Sequence, residues 1–361
     1  GLGVLAVVVY MIYQFVGVFA AGRLVDLIET GVFDRLIIPG VKRIAGEGFI
    51  YDILVGQYGL VSMGLSYSIS IVLPIVLVFF LIFGILEDTG YFPRLTVLTN
   101  NAFKIVGVNG KATLPVVLGF GCVTMAILAS RILETRRERI IVITLLSLAI
   151  PCSAQLGVML ALMSAISIAA VVTISVIVLA EFVVVGSLLG RILKGETSDF
   201  ILELPPLRIP RLRNIVLKTG ARAKWFLVEA VPYFILATVV LFFLDRTGAM
   251  EYIYKAVEPV ASRLLGLPVE TASVFIIGFF RRDYGAAGLY RMWQSGLLTG
   301  NQITVALTVM SLFLPCLASL IVMIKELGIR YAMLIFIAVM VISILTGGAL
   351  NLVLSAAGVS F

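Results

Sequence analysis

The stretch Leu118–Leu156 reads LGFGCVTMAILASRILETRRERIIVITLLSLAIPCSAQL and holds two cysteines, each beside a helix breaker. Gly119-Phe120-Gly121-Cys122 stands near its start and Pro151-Cys152-Ser153-Ala154 near its end. Between them lie Arg131, Arg136, Arg137 and Arg139 with Glu134 and Glu138, flanked by apolar runs. A thiol next to Gly or Pro in such a run is a polarizable ligand beside backbone that cannot complete a regular helix. In a bilayer, irregular backbone persists only where protein buries it or where it lines a cavity. Paired interrupted segments are the best sequence pointer to a transporter's binding site. The stretch therefore reads as half of a substrate pathway.

Composition places that pathway in a membrane. Of 361 residues, 61% are hydrophobic and 13% charged, with a mean hydropathy of +1.15; soluble domains carry about 25% charged residues. The expected fold is an all-α integral membrane protein, a polytopic helical bundle. The net charge of +7 is confined to a few loops, as the positive-inside rule produces, and no basic soluble face suggests nucleic acid. The three cysteines, Cys122, Cys152 and Cys316, lie in apolar surroundings without the spacing of a disulfide framework. Histidine is absent, which excludes a Ser/His/Asp set and leaves thiolate, thioether, carboxylate, hydroxyl or carbonyl groups as metal ligands. Gly1 opens directly into an apolar run with no signal-peptide pattern. Further residues are expected upstream of it.

Working outward, residues 3–20 form a first candidate span and 23–57 an amphipathic interfacial region. Further spans are expected over 67–86, 140–164, 166–189, 225–244, 303–324 and 331–354. Segments 91–111 and 245–270 are amphipathic, 112–130 is bent or re-entrant, 191–224 is a basic polar loop, and 271–292 is interrupted. The resulting organisation is 1–65, a first repeat over 66–190, the loop 191–224, and a second repeat over 225–356. Three landmarks recur in order: Leu86-Glu87-Asp88-Thr89-Gly90 with Leu244-Asp245-Arg246-Thr247-Gly248, Gly119-Phe120 with Gly278-Phe279, and Pro151-Cys152 with Pro315-Cys316. Charge assigns the loops 131–139, 191–224 and 325–330 to the cytoplasm. With a re-entrant 112–130 segment, the two repeats enter from opposite sides, an inverted arrangement found in alternating-access carriers.

The site candidates follow from cost. All three thiols follow a helix breaker, and soft sulfur ligands suit late first-row metals better than magnesium or calcium. Met125, Ser153 and the carboxylates Glu87 and Asp88 at a span end join them as candidate ligands. Glu181 interrupts an apolar run and is expected to face the bundle interior, because intramembrane carboxylates are costly and functional. Arg281, Arg282 and Asp283 are further pathway candidates, with the arginines able to pair with Glu87 or Asp88. Met159 lies near the second thiol and could join them, though both methionines read better as core filler. Val108-Asn109-Gly110-Lys111-Ala112 fails as a phosphate loop, since Ile105 and Ala112 stand where Gly and Ser/Thr are needed.

Leu86-Glu87-Asp88-Thr89-Gly90-Tyr91, Gly110-Lys111, Gly119-Phe120-Gly121-Cys122, the Arg131–Arg139 patch, Pro151-Cys152-Ser153-Ala154-Gln155-Leu156-Gly157, Gly278–Gly288 and Pro315-Cys316 together resemble the membrane domain of ferrous iron transport protein B. The resemblance covers nearly the whole chain. It implies two Gate repeats carrying Fe2+ across a prokaryotic plasma membrane. Val123-Thr124-Met125 and Gln155-Leu156-Gly157 stand where many members have Asn-Val-Pro and Arg-Leu-Pro, the mark of a divergent branch. The resemblance also implies an upstream GTP-binding domain, which would carry the GTP and Mg2+ that this chain does not bind, and small cytoplasmic Feo accessory proteins as partners. A homo-oligomer is allowed. The expected activity is transport, with no enzymatic step in this chain. Another divalent metal such as Mn2+ or Zn2+, a nucleoside, and a non-transporting membrane scaffold are the alternatives. The intramembrane breaks argue against the scaffold, and thiols in place of aromatic and amide groups argue for a metal.

Overall fold

The computed structural model describes residues 25–45, 49–56, 59–152, 155, 167–195, 206, 208–280, 282–313 and 316–357. These residues are helical, with no strand among them. The principal helices are α1 (Leu73–Asp88), α2 (Tyr91–Ile105), α3 (Thr113–Gly119), α4 (Val123–Ala129), α5 (Arg136–Ala149), α6 (Ile168–Ile192), α7 (Leu212–Arg246), α8 (Ala249–Pro259), α9 (Thr271–Phe280), α10 (Arg282–Gln294), α11 (Gly300–Leu312), α12 (Leu317–Leu327) and α13 (Ile329–Ala357). Four described segments are long and apolar enough to cross a membrane: Ser68–Asp88, Ile168–Ile192, Gly300–Leu327, which is interrupted before Cys316, and Ile329–Ala357. On α6, Val172, Val176, Leu179, Val184 and Leu188 are exposed. An apolar surface that long is stable against acyl chains and not against water. The protein is thus an all-α polytopic membrane protein. The expected span over 3–20 lies outside the described residues.

The chain divides into two compact units. In the first, residues 1–94 with 204–251, α1 packs along α7. Both helices end on a glycine with positive φ, Gly90 at 76° and Gly248 at 71°, a left-handed stop that glycine adopts without penalty. The recurring Thr-Gly landmark is therefore a helix terminator used twice. The expectation of a loop up to residue 224 is corrected here, because α7 begins at Leu212. Its cations do not end the helix, since Lys218 and Arg222 reach the carboxylate of Glu87 on α1.

In the second unit, residues 95–203 with 252–361, α5 and α11 form the centre. Every residue from Ile140 to Ala149 and from Ile303 to Leu312 is buried, as expected of helices apolar all round. Both start with the same device. The Thr135 hydroxyl accepts from the Glu138 amide and the Thr299 hydroxyl from the Gln302 amide; at Thr299 the Gln302 side chain also accepts from the N-cap amide, which completes a capping box. Thr135 and Thr299 stand at the same offset as Cys152 and Cys316, so the repeat extends from these caps to the thiols.

The 112–130 segment is broken as expected. α3 and α4 are seven residues each and pack on one another, each too short to cross a hydrocarbon layer of about 30 Å. Helices α9 and α10 form the matching hairpin. They touch through glycine: a Cβ placed on Gly285 would lie 2.6 Å from the Cα of Gly278.

The basic loops of this unit gather on one side. Arg131 and Arg139 both bind Glu326 at the end of α12. Arg136 donates to the Leu327 carbonyl at 3.3 Å and lies 4.7 Å over the Tyr331 ring. Arg137 donates to the carbonyls of Gly107, Gly190 and Leu193 at 3.0, 2.6 and 2.8 Å, capping the end of α6, where helix carbonyls lack partners. The patches at 131–139 and 325–331 and the start of the 191–224 region thus meet.

Candidate ion site at the broken helices

Two of the three thiols that the sequence marked open a half-helix. Cys122, extended at φ −150° and ψ 117°, is the N-cap of α4, and Cys316, at φ −61° and ψ 160°, is the N-cap of α12. The breaks are local in origin. Gly119 ends α3 where a Cβ would lie 2.7 Å from Leu146, and Pro151 and Pro315 lack the amide that a continuing helix needs. α4 and α12 pack together, which brings one break to the other. Thr124, on the first turn of α4, carries its hydroxyl within hydrogen-bond reach of the Cys122 thiol and 4.0 Å from the Cys316 sulfur.

The immediate surroundings of the thiols are mixed sulfur and oxygen. Cys122 accepts from the backbone amide of Met125, and both Cys316 and Cys152 are near enough for a thiolate on either to repel one on Cys122. The Cys316 thiol donates to the Ser319 hydroxyl at 3.5 Å, and that hydroxyl donates to the Cys316 carbonyl at 2.8 Å. None of the three cysteines forms a disulfide, and all are half-buried. No group of three His, Cys, Asp or Glu side chains among the described residues is close enough to hold one metal ion. Cys122 and Cys316 meet through the Thr124 hydroxyl, and a cation bound there would take oxygen as well as sulfur donors.

The other candidates fall into place around this. Met125 is buried in the core, and its backbone amide is what meets Cys122. Glu87 pairs with Lys218 at 3.2 Å and Arg222 at 2.6 Å, with Arg222 also lying over the rings of Phe80 and Phe83. Asp88 accepts from the Arg211 amide at 2.8 Å. Both carboxylates thus have partners within the first unit, on α7 and at its N-cap. Glu181 accepts from the Thr346 hydroxyl of α13 at 2.6 Å and shares a helix face with the buried Ile174 and Val185, so it faces the bundle interior. Ser153 and Arg281 lie outside the described residues, as do the side chains of Arg282 and Asp283.

Sequence reasoning passed over two groups. One is Thr124, whose role depends on α12 lying against α4. The other is Gln155, fully buried, whose side-chain amide donates to the Met310 carbonyl of α11 at 2.6 Å. Its signal was a polar residue three positions beyond a cysteine, matching Ser319 beyond Cys316.

Comparison with known proteins supports the same region. The Gate family, described as nucleoside recognition, matches residues 69–166 and 227–330. The family described as ferrous iron transport protein B C terminus matches residues 171–222. The chain is 30% identical over 236 residues to the Fe(2+) transporter FeoB of Staphylococcus aureus (strain COL), covering 64% of this chain and 33% of that one. It is 27% identical over 249 residues to the Fe(2+) transporter FeoB of Salmonella typhimurium, covering 67% and 32%. It is 30% identical over 245 residues to a Porphyromonas gingivalis protein named as a fusion of Fe(2+) transport protein A with the transporter FeoB, covering 65% and 28%. The matched part of the chain spans about a third of the length of these relatives. No solved structure matches.

Proposed function

The chain belongs to the Gate family, in the group that also carries the ferrous iron transport protein B C-terminal segment, and we propose that it is the ion-conducting part of an Fe2+ uptake system in a prokaryotic plasma membrane. The observation that carries this reading is the packing of α4 on α12, two half-helices that begin at Cys122 and Cys316 with Thr124 between them. Fe2+ sheds water against thiolate and hydroxyl donors there, and borderline-soft sulfur favours it over Mg2+ and Ca2+. The breaks leave backbone polar groups turned toward a pathway and away from lipid. Cys152 supplies the third thiol, and Glu181 with Thr346 a polar point farther along the bundle. The two repeats, inverted with respect to one another, alternate access to this point.

A GTP-binding domain upstream biases the two states in this reading, with GTP and Mg2+ held there. A small protein of the Fe(2+) transport protein A type acts as a partner, an idea supported by the fused relative. The nucleoside alternative draws on the Gate description. It is the weaker reading, because the described groups at the breaks are thiols and hydroxyls and the relatives are named for Fe2+.

The test is uptake by the full-length protein in liposomes under anaerobic conditions. Saturable Fe2+ uptake that excess nucleoside leaves unchanged is expected. Nucleoside uptake with no Fe2+ uptake would overturn the reading.

A further inference from the structure

Gln155 is fully buried, and its Oε1 has no hydrogen-bond partner among the described residues. Buried polar oxygens are ordinarily paired, and one left alone in a native protein calls for an explanation. The other branch of the same amide is fixed, because Nε2 donates to the Met310 carbonyl at 2.6 Å. That carbonyl lies in the last turn of α11, where the helix cannot satisfy it, six residues before Cys316. Gln155 therefore ties the break at Cys152 to the break at Cys316 and still presents a free carbonyl oxygen.

The repeat says what that oxygen is placed to do. Cys316 and Ser319 stand at the same offset from Cys152 and Gln155 as the two capping threonines do from each other. In the second repeat, the oxygen three residues beyond the thiol lies 3.5 Å from the sulfur. In the first repeat, the side chain at that position is Gln155. At the third thiol, Thr124 supplies the oxygen. Two of the three thiols thus have a neutral oxygen donor beside them, the third has Gln155 at the matching offset, and among the described residues no three acidic or thiol groups converge on one point.

Resting on the Fe2+ reading above, we propose that Gln155 is a further ligand: its Oε1, with the Cys152 thiolate, forms a mixed oxygen–sulfur step for a divalent cation. Cation binding at Oε1 polarises the amide and strengthens the Nε2 bond to Met310. Occupancy at the first break is thereby felt at the end of α11, where the second break begins. A neutral amide oxygen also keeps the step weak enough for the ion to leave, as conduction requires.

The test uses the full-length protein in detergent with Co2+ as the probe, whose bonds to thiolates absorb in the near ultraviolet. Gln155→Leu is expected to bind Co2+ at least about tenfold more weakly, with the thiolate band retained. Unchanged affinity in Gln155→Leu would overturn the role of Gln155 and leave the thiol site standing. A wild-type protein that binds Co2+ with no thiolate band would overturn the thiol site itself. If Gln155→Leu does not fold, X-ray absorption on the wild-type Co2+ complex decides. A first shell with both oxygen and sulfur is expected, and one of sulfur alone overturns the proposal.

Discussion

Arg139 places Nη2 2.7 Å from Oε2 of Glu326, whose side chain is only 4% exposed. The bond joins the start of α5 to the end of α12, so the two repeats are fastened at their charged ends while their thiols meet at the other end of α4 and α12. Arg131 binds the same carboxylate but is 54% exposed. Removing one partner of a buried pair leaves the other charge uncompensated, whereas an exposed pair contributes little. Glu326→Ala should lower unfolding free energy by about 3 kcal/mol, and Arg131→Ala by less than about 1 kcal/mol. Thermal unfolding of the purified variants measures both, and equal effects would contradict the arrangement.

The meeting of the basic loops gives a topological expectation. Ile132 and Ile329 are both exposed, on the loops joined by the Arg131–Glu326 pair. Cysteines introduced as Ile132→Cys and Ile329→Cys, with the native thiols replaced, should both react with an impermeant thiol reagent from the cytoplasmic side. Reaction from opposite sides would contradict the shared face.

Glu87 separates ligand from structural partner. Its ion pairs with Lys218 and Arg222 are partly exposed, so Glu87→Gln should cost about 1 kcal/mol of stability and leave the apparent affinity for Fe2+ in liposome uptake unchanged. A loss of affinity at unchanged stability would return Glu87 to the ion pathway.

The contact of Gly278 with Gly285 leaves no room for a side chain. Gly285→Val drives a branched side chain against the Gly278 backbone, 2.6 Å from where its Cβ must lie, and overpacking of this kind costs about 1–3 kcal/mol. A lowered melting temperature and reduced folded yield are expected; a wild-type melting temperature would mean the hairpin is looser than described.

What the sequence made legible was backbone chemistry. Gly90 and Gly248 stop helices at the repeated Thr-Gly, and Gly119 and Pro151 mark real interruptions, because the conformations of glycine and proline are local properties. Glu181 stands out in the sequence by its cost in an apolar run, and in the structure its carboxylate accepts from Thr346. The partners of long charged side chains were not legible. Arg131 and Arg139 find Glu326, and Lys218 and Arg222 find Glu87, across separations that no periodicity encodes. For the same reason α7 looked like loop up to residue 224, its cations reading as solvent-facing until α1 supplied their counter-charge. Thr124 was silent, and the offset of Gln155 from Cys152 went unread, because a buried hydroxyl or amide reveals its role only through the helix packed against it.

The central claim is that an ion rests on the thiols where the helices break. Initial rates of Fe2+ influx into liposomes containing the full-length protein test it most directly, with Cys122→Ser, Cys152→Ser, Cys316→Ser and the triple variant compared at equal folded protein. Each single variant should fall at least about tenfold, and the triple variant should show only leak. A triple variant that carries Fe2+ at the wild-type rate would contradict the account.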